Sequence, residues 1–162
     1  MTTEAPWLDE ALSRLGQKEL PGRARNNPAI MQCFTDCGHD VDGEGLVDET
    51  AWCAAGTGSC LKTCGYPVPP SATNLLARSY LTYGKKLDGP QVGAIMIIPR
   101  GKYPHGHVGI VATVGKRTVK LIAGNVGNAW SYQTVDIDEA LGWRWPVKAT
   151  AKDLKDAGSD TL

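Results

Sequence analysis

The sequence has no excess charge, no long apolar run and almost no phenylalanine. Only one of its 162 residues is Phe, and 17 basic residues balance 17 acidic ones, so the formal net charge is zero. Without a long-range electrostatic field, neither nucleic acid nor an anionic membrane surface is expected as a partner. No stretch approaches the roughly 20 apolar residues that a membrane-spanning helix needs.

The N-terminus lacks the basic region and apolar stretch of a secretory signal, since it reads MTTEAP. We therefore expect synthesis in the cytoplasm, with action elsewhere only after release or export. Internal repeats are absent, and the 42% hydrophobic content suits one folded domain. We predict a single domain over residues 1–146 and a polar, mobile C-terminal tail over 147–162.

Hydrophobic periodicity changes along the chain from helical spacing to short apolar runs. Pro6–Leu15, a segment beginning at Asn27-Pro28, the segment after Asp48 and Ser71–Tyr83 favour helices. The remainder favours short strands. Helices followed by a run of strands indicate an α+β fold with an antiparallel sheet. The predicted strands cover residues 93–99, 107–114, 118–123, 130–135 and 141–145.

The five cysteines are an odd number, and in a cytoplasmic product they do not indicate a disulfide framework. Cys33 and Cys37 lie four residues apart, as do Cys60 and Cys64, so each pair shares one helix face. Buried free thiols, two crosslinks and a tetrahedral zinc site all fit this spacing. We predict no metal and no cofactor.

The fifth cysteine, Cys53, stands at the predicted start of a helix. Residues 48–50 (DET) suit a helix start, and Cys64-Gly65 suits a helix end. Backbone N–H groups at a helix start lower the pKa of a thiol, and a thiolate is a nucleophile. The alternative is that Cys53 is a small buried hydrophobe. The small residues of the AAGTGS run after it would allow the helix to lie very close to a sheet.

A nucleophilic thiol needs a base and a group that orients the base. His107 opens an apolar strand, which would hold its ring rigidly, whereas His105 lies on the preceding loop and His39 in a polar loop. Antiparallel pairing of the next strand would bring Asn125 beside His107, where its amide oxygen could accept the imidazole N–H. The alternatives are a structural histidine and an Asn-Gly turn.

Several segments together resemble the CHAP (cysteine, histidine-dependent amidohydrolase/peptidase) and NlpC-type peptidoglycan hydrolases of bacteria and phages. They are DETAWCAA at 48–55, GAIM at 93–96, GHVGIV at 106–111, GN at 124–125 with Asn128, and LGWRWP at 141–146. The resemblance implies a papain-like fold in which the nucleophile helix packs on a small antiparallel sheet. It further implies Cys53 as nucleophile, His107 as base and Asn125 as the residue that orients the base.

The substrate implied by this resemblance is an amide bond of the peptidoglycan stem peptide. The expected setting is a phage lysin or an exported antibacterial effector, acting as a monomer in the periplasm or outside the cell. An immunity or delivery protein is a further expected partner. Two other functions stay open: a non-catalytic interaction module on the same fold, and a cysteine acyltransferase.

Two features depart from the family pattern or compete with it. Gly56 stands where such domains commonly carry a bulky apolar residue, so the helix–sheet contact is looser here or another group fills the gap. The loop at 40–45 (DVDGEG) resembles half of a calcium site, with Asp48 as a further candidate. A bidentate Glu is missing at the expected end of that loop, so we predict a solvated acidic loop.

Overall fold

The structure, a computed structural model, describes residues 4–20, 27–46 and 52–148. Four helices, α1–α4, precede a sheet of six antiparallel strands, which confirms the predicted α+β class. The strands lie in the order β1-β6-β2-β3-β4-β5. Within the described ranges, no helix is long and apolar enough to cross a membrane. The helices are α1 Pro6–Ser13, α2 Pro28–Asp36, α3 Val41–Glu44 and α4 Cys53–Thr63, and the strands are β1 Lys85–Leu87, β2 Ile95–Pro99, β3 Gly106–Val114, β4 Thr118–Val126, β5 Ala129–Asp136 and β6 Gly142–Trp145.

Helix α4 lies at the centre of the molecule and packs against α1, α2, β3 and β4. Every residue from Cys53 to Leu61 is buried, which explains why this helix has no polar face. Other elements pack against the helix on all sides, and its small residues leave the room that this close packing needs. At Gly58, for example, an added Cβ would lie 2.6 Å from Cys37 Sγ.

Two apolar clusters cover the two faces of the sheet. The helices contribute to the first cluster, together with Ile97, Val108 and Ile110. The second cluster contains no residue of α1–α4 and includes Met96 and Ile98. Since alternate residues of a strand point to opposite faces, the sheet therefore has a helix face and an opposite face.

The gap above Gly56 is filled by an aromatic side chain. The ring of Trp130 lies so close to Gly56 that a Cβ there would overlap it. Trp130 also stacks on Trp52, with ring centroids 5.9 Å apart, and donates its indole N–H to Ala11 O at 2.6 Å. The helix–sheet contact is therefore not loose, because tryptophan supplies from the sheet the volume that the helix lacks.

Alanine at position 56 should lower the free energy of unfolding by about 2 kcal/mol, because overpacking outweighs the gain in helix propensity. Urea unfolding of Gly56→Ala measures the effect. The matched control is Gly89→Ala, since no atom lies within 4 Å of a Cβ at that position. A Gly56→Ala variant as stable as the wild type would contradict this packing.

The predicted α-helix over Ser71–Tyr83 is wrong, since the segment forms turns followed by a short 3₁₀ helix, Ala77–Thr82. The buried amide of Asn74 donates to the carbonyl oxygens of Cys37 (2.8 Å) and Pro69 (3.0 Å). Side-chain hydrogen bonds of this kind offer the backbone an alternative to the helix. Leu76 then takes extended angles, φ −95° and ψ 126°, which prevents a continuous α-helix.

Candidate active site

Cys53 is the first residue of α4, as predicted, and its side chain is buried beside β3. The backbone N–H groups of Cys53 and Ala54, at the helix start, point to the sulfur. A third N–H comes from Val108, the residue that follows His107 on β3. Backbone N–H groups of α4 and of β3 therefore both act on the sulfur, where the start of the helix meets the beginning of β3. The predicted helix-start residues 48–50 lie outside the described ranges.

The pKa of the Cys53 thiol is higher than expected from a helix start alone. Burial raises this pKa, and it outweighs the backbone N–H groups and the positive charge of Arg100, which act in the opposite direction. The prediction of a lowered pKa is therefore wrong for the protein without substrate. The thiol is protonated at neutral pH, so its activation requires a base.

His107 is 1% exposed and lies on the opposite face of the sheet from α4. It pairs with Ile98 of β2, and directly opposed residues of neighbouring strands point to the same face. Ile98 belongs to the cluster of the opposite face. Burial, followed by the charge of Arg100, lowers the pKa of His107 to about 4. The imidazole is therefore neutral at neutral pH, the form that a general base requires.

Both ring nitrogens of His107 are buried and form no hydrogen bond of standard geometry with a described residue, although the side chain of Gln133 interacts with the ring and acts to raise its pKa. The side-chain oxygen of Gln133, on β5, is likewise buried without a hydrogen bond of standard geometry to a described residue. A buried polar group without a partner costs roughly 1–3 kcal/mol. The sheet therefore fixes the backbone of His107, while its two ring nitrogens form no regular hydrogen bond that stabilises the fold.

The predicted antiparallel pairing of β3 with β4 is confirmed, and Asn125 lies toward the same end of this strand pair as His107. The last paired residues at that end are Ile110 and Ile122, so His107 and Asn125 lie beyond the regular pairing. Asn125 adopts a left-handed conformation, with φ 62°, at an irregularity of β4. The predicted hydrogen bond between Asn125 and the His107 ring is not formed, since the ring nitrogens form no hydrogen bond of standard geometry with a described residue.

The cleft that opens at Cys53 contains a different histidine. The volume of this cleft is about 250 Å³. Besides Cys53, it is lined by His105, Arg100, Gly106 and three apolar residues, two of which precede the 3₁₀ helix while the third begins it. From the sequence, His105 is expected on the less constrained loop before β3, and Arg100 in an exposed basic loop whose solvation and whose place at the border of the cleft both stay open. Their sites depend on how the 99–106 segment folds over α4, which local sequence patterns do not specify. The three apolar residues are Leu75, Leu76 and Ala77.

His39 is structured rather than solvated, contrary to the sequence interpretation. Its Nδ1 lies 2.9 Å from a carboxylate oxygen of Glu44, and its Nε2 lies 2.7 Å from Asn74 Oδ1. Because the Asn74 amide group donates elsewhere, Nε2 must be the donor in the second contact. Burial acts to lower the pKa of His39, but these two hydrogen bonds outweigh it and raise the pKa.

Glu44→Gln should therefore destabilise the protein more at about pH 5.5 than at about pH 9. A raised histidine pKa contributes stability that is complete below about pH 6.5 and is lost as the pH rises through the folded-state pKa. Urea unfolding at both pH values measures the difference, with Glu139→Gln as the control for loss of one exposed carboxylate. An equal effect of Glu44→Gln at the two pH values would contradict the ion pair.

The acidic loop is partly helical, because α3 covers Val41–Glu44. The Glu44 carboxylate also accepts the backbone N–H of Asp40 at 2.9 Å. Within the part of the chain that the structure describes, no group of three His, Cys, Asp or Glu residues is arranged to hold a metal ion. Asp48 lies outside the described ranges. All five cysteines are free thiols, and four of them are buried.

Comparison with protein families identifies the same segment that carries the candidate site. The model of the CHAP domain matches residues 45–125, a range that contains Cys53, His107 and Asn125. No curated protein matches the chain. CHAP domains are typically amidase- or peptidase-type hydrolases that act on peptidoglycan. The family match covers half of the sequence, and the chain therefore belongs to the CHAP domain family.

Proposed function

We propose that the protein is a cysteine-dependent amidohydrolase or peptidase that cleaves an amide bond of the peptidoglycan stem peptide. In this proposal Cys53 is the nucleophile, His107 the general base and Asn125 the residue that orients His107. The observation that carries the proposal is the position of the Cys53 sulfur. It lies in a cleft, at a helix start, next to the peptide unit that joins His107 to Val108.

The reaction would begin with transfer of the Cys53 proton to a ring nitrogen of His107 while sulfur attacks the amide carbonyl. Carbon–sulfur bond formation produces an oxyanion, which the N–H groups at the start of α4 would stabilise. The protonated imidazole then gives its proton to the leaving amine as the carbon–nitrogen bond breaks. Water, deprotonated by His107, hydrolyses the thioester and restores the thiol.

Because His107 lies on the face of the sheet opposite α4, this mechanism requires a movement that brings its ring from that face to the Cys53 sulfur. The regular β3–β4 pairing ends at Ile110 and Ile122, before it reaches His107, and this supports such a movement. The ring nitrogens support it too, since they form no hydrogen bond of standard geometry and Gln133 is the polar side chain that interacts with them. A second imidazole, that of His105, already lines the cleft together with Cys53.

Burial of the Cys53 thiol is the observation that favours the alternative of a non-catalytic interaction module. A cysteine acyltransferase would use the same thioester but pass the acyl group to an acceptor other than water. The proposed setting is a phage lysin or an exported effector that meets the cell wall after release or export. The expected monomer and the immunity or delivery partner belong to this proposal.

The test is digestion of purified peptidoglycan in heavy-oxygen water, followed by mass spectrometry of the soluble fragments. A hydrolase should release fragments with one new amine and one new carboxyl group, and that carboxyl should carry one heavy oxygen atom. Heat-denatured protein is the control. Cleavage without heavy oxygen in the product would instead identify a transferase, and no cleavage of peptidoglycan of any chemotype would refute the enzymatic proposal.

A further inference from the structure

We infer that Arg100 forms a carboxylate-binding subsite beside Cys53, so that the preferred substrate carries a free carboxylate next to the amide bond that is cleaved. This inference rests on the proposed function and specifies its substrate class. The cleft of about 250 Å³ has Cys53 in its lining, and Arg100 is the charged residue at its rim. None of the described lining residues is acidic.

The guanidinium of Arg100 is available for a ligand. Among the described residues the ion pairs are Arg14–Glu10 and His39–Glu44, so no described carboxylate neutralises Arg100. The side chain is exposed, which leaves it accessible from the mouth of the cleft. Arginine binds carboxylates in a bidentate geometry, and a hydrogen bond to a charged group is stronger than one between neutral groups.

The lining of the cleft also includes an apolar segment with aliphatic side chains. Leu75, Leu76 and Ala77 form it, and they leave room for an aliphatic portion of a peptide. A peptide bound along this segment would present its carbonyl to Cys53 and a flanking carboxylate to Arg100. The chemistry of the cleft thus fits an acidic peptide with small aliphatic side chains.

Arg78 is a positioning residue for the loop that carries His105. Its Nε donates to the carbonyl oxygen of His105 at 3.1 Å, and its guanidinium lies 5.0 Å from the ring centroid of Tyr103. Gly106 allows this packing, because a Cβ at that position would lie 3.3 Å from Arg78 Cγ. Arg78 therefore supports the segment that joins Arg100 to Gly106, and Arg100 remains the group that meets the ligand.

The experiment uses two soluble peptides that contain the bond identified in the peptidoglycan digest. The peptides are identical except that the residue flanking this bond carries a free carboxylate in one and a carboxamide in the other. The wild type should prefer the carboxylate peptide by about tenfold or more in kcat/KM. Arg100→Gln should lower this preference to near unity, Arg100→Lys should keep part of it, and Arg117→Gln should retain it fully.

The preference is a ratio measured within each variant, so a change in folding or in thiol reactivity does not alter it. Equal cleavage of the two peptides by the wild type would overturn the subsite, as would an undiminished preference in Arg100→Gln. Failure of the wild type to cleave either peptide, despite cleavage of peptidoglycan, would overturn it as well. Failure on peptidoglycan itself would instead refute the proposed function.

Discussion

Cys53→Ala should reduce the rate of peptidoglycan amide cleavage by on the order of 10³-fold or more. The substitution removes the sulfur on which the backbone N–H groups of α4 and β3 act, and no other described thiol lines the cleft. The fold should persist, because alanine occupies the next two positions of the same buried helix. Release of amino groups from peptidoglycan measures the rate, and circular dichroism checks the fold.

The matched control is Cys64→Ala, at the other end of the same helix. Cys64 caps the C-terminus of α4, is only partly buried and does not line the cleft. Its substitution should leave the rate within about twofold of the wild type, since it removes a thiol without touching the reacting atoms. Equal losses in the two variants would indicate a general role for thiols or for stability, and would contradict a nucleophilic Cys53.

His107→Ala should lower the rate by on the order of 10²- to 10⁴-fold, the usual contribution of a general base. The reason is that the buried Cys53 thiol is protonated at neutral pH and must lose its proton to a base. Burial keeps the His107 imidazole neutral, with a pKa of about 4, and such an imidazole becomes an effective base for the thiol only once its ring leaves the buried position that lowers its pKa. Initial rates on a soluble peptide substrate at neutral pH measure the loss.

The discriminating control is His105→Ala, because His105 lines the Cys53 cleft in the structure whereas His107 does not. We expect a loss of less than about tenfold, consistent with a role in substrate contact rather than proton transfer. Asn125→Ala should cost less than His107→Ala, since it orients the base without reacting. A large loss in His105→Ala together with an active His107→Ala would contradict the assignment and make His105 the base.

Local sequence patterns correctly predicted the features that depend on a single helix or strand. The short apolar runs predicted five of the six strands, and the helix-end signal at Cys64-Gly65 predicted the end of α4. The position of Cys53 at the helix start was predictable, because the signals for a helix start lie in the residues next to it in the sequence. The pairing of β3 with β4 followed because the two strands are consecutive and joined by a tight turn.

The remaining features depend on contacts between distant parts of the chain. Asn74 prevents the predicted helix through hydrogen bonds to Cys37 and Pro69, and it also fixes His39. The volume missing at Gly56 is supplied by Trp130 from another element. The raised pKa of Cys53 results from burial by the whole fold rather than from the helix start. Spacing in the sequence contains none of this information.

The central claim is that Cys53 forms a covalent bond with the acyl group of the substrate. The most direct measurement is acid quenching of the enzyme during turnover of a soluble peptide, followed by mass spectrometry of the intact protein and of its proteolytic fragments. We expect a mass increase equal to the acyl portion, located on the fragment that contains Cys53 and absent from Cys53→Ala. Turnover with no adduct on that fragment, and with full activity retained in Cys53→Ala, would contradict the account.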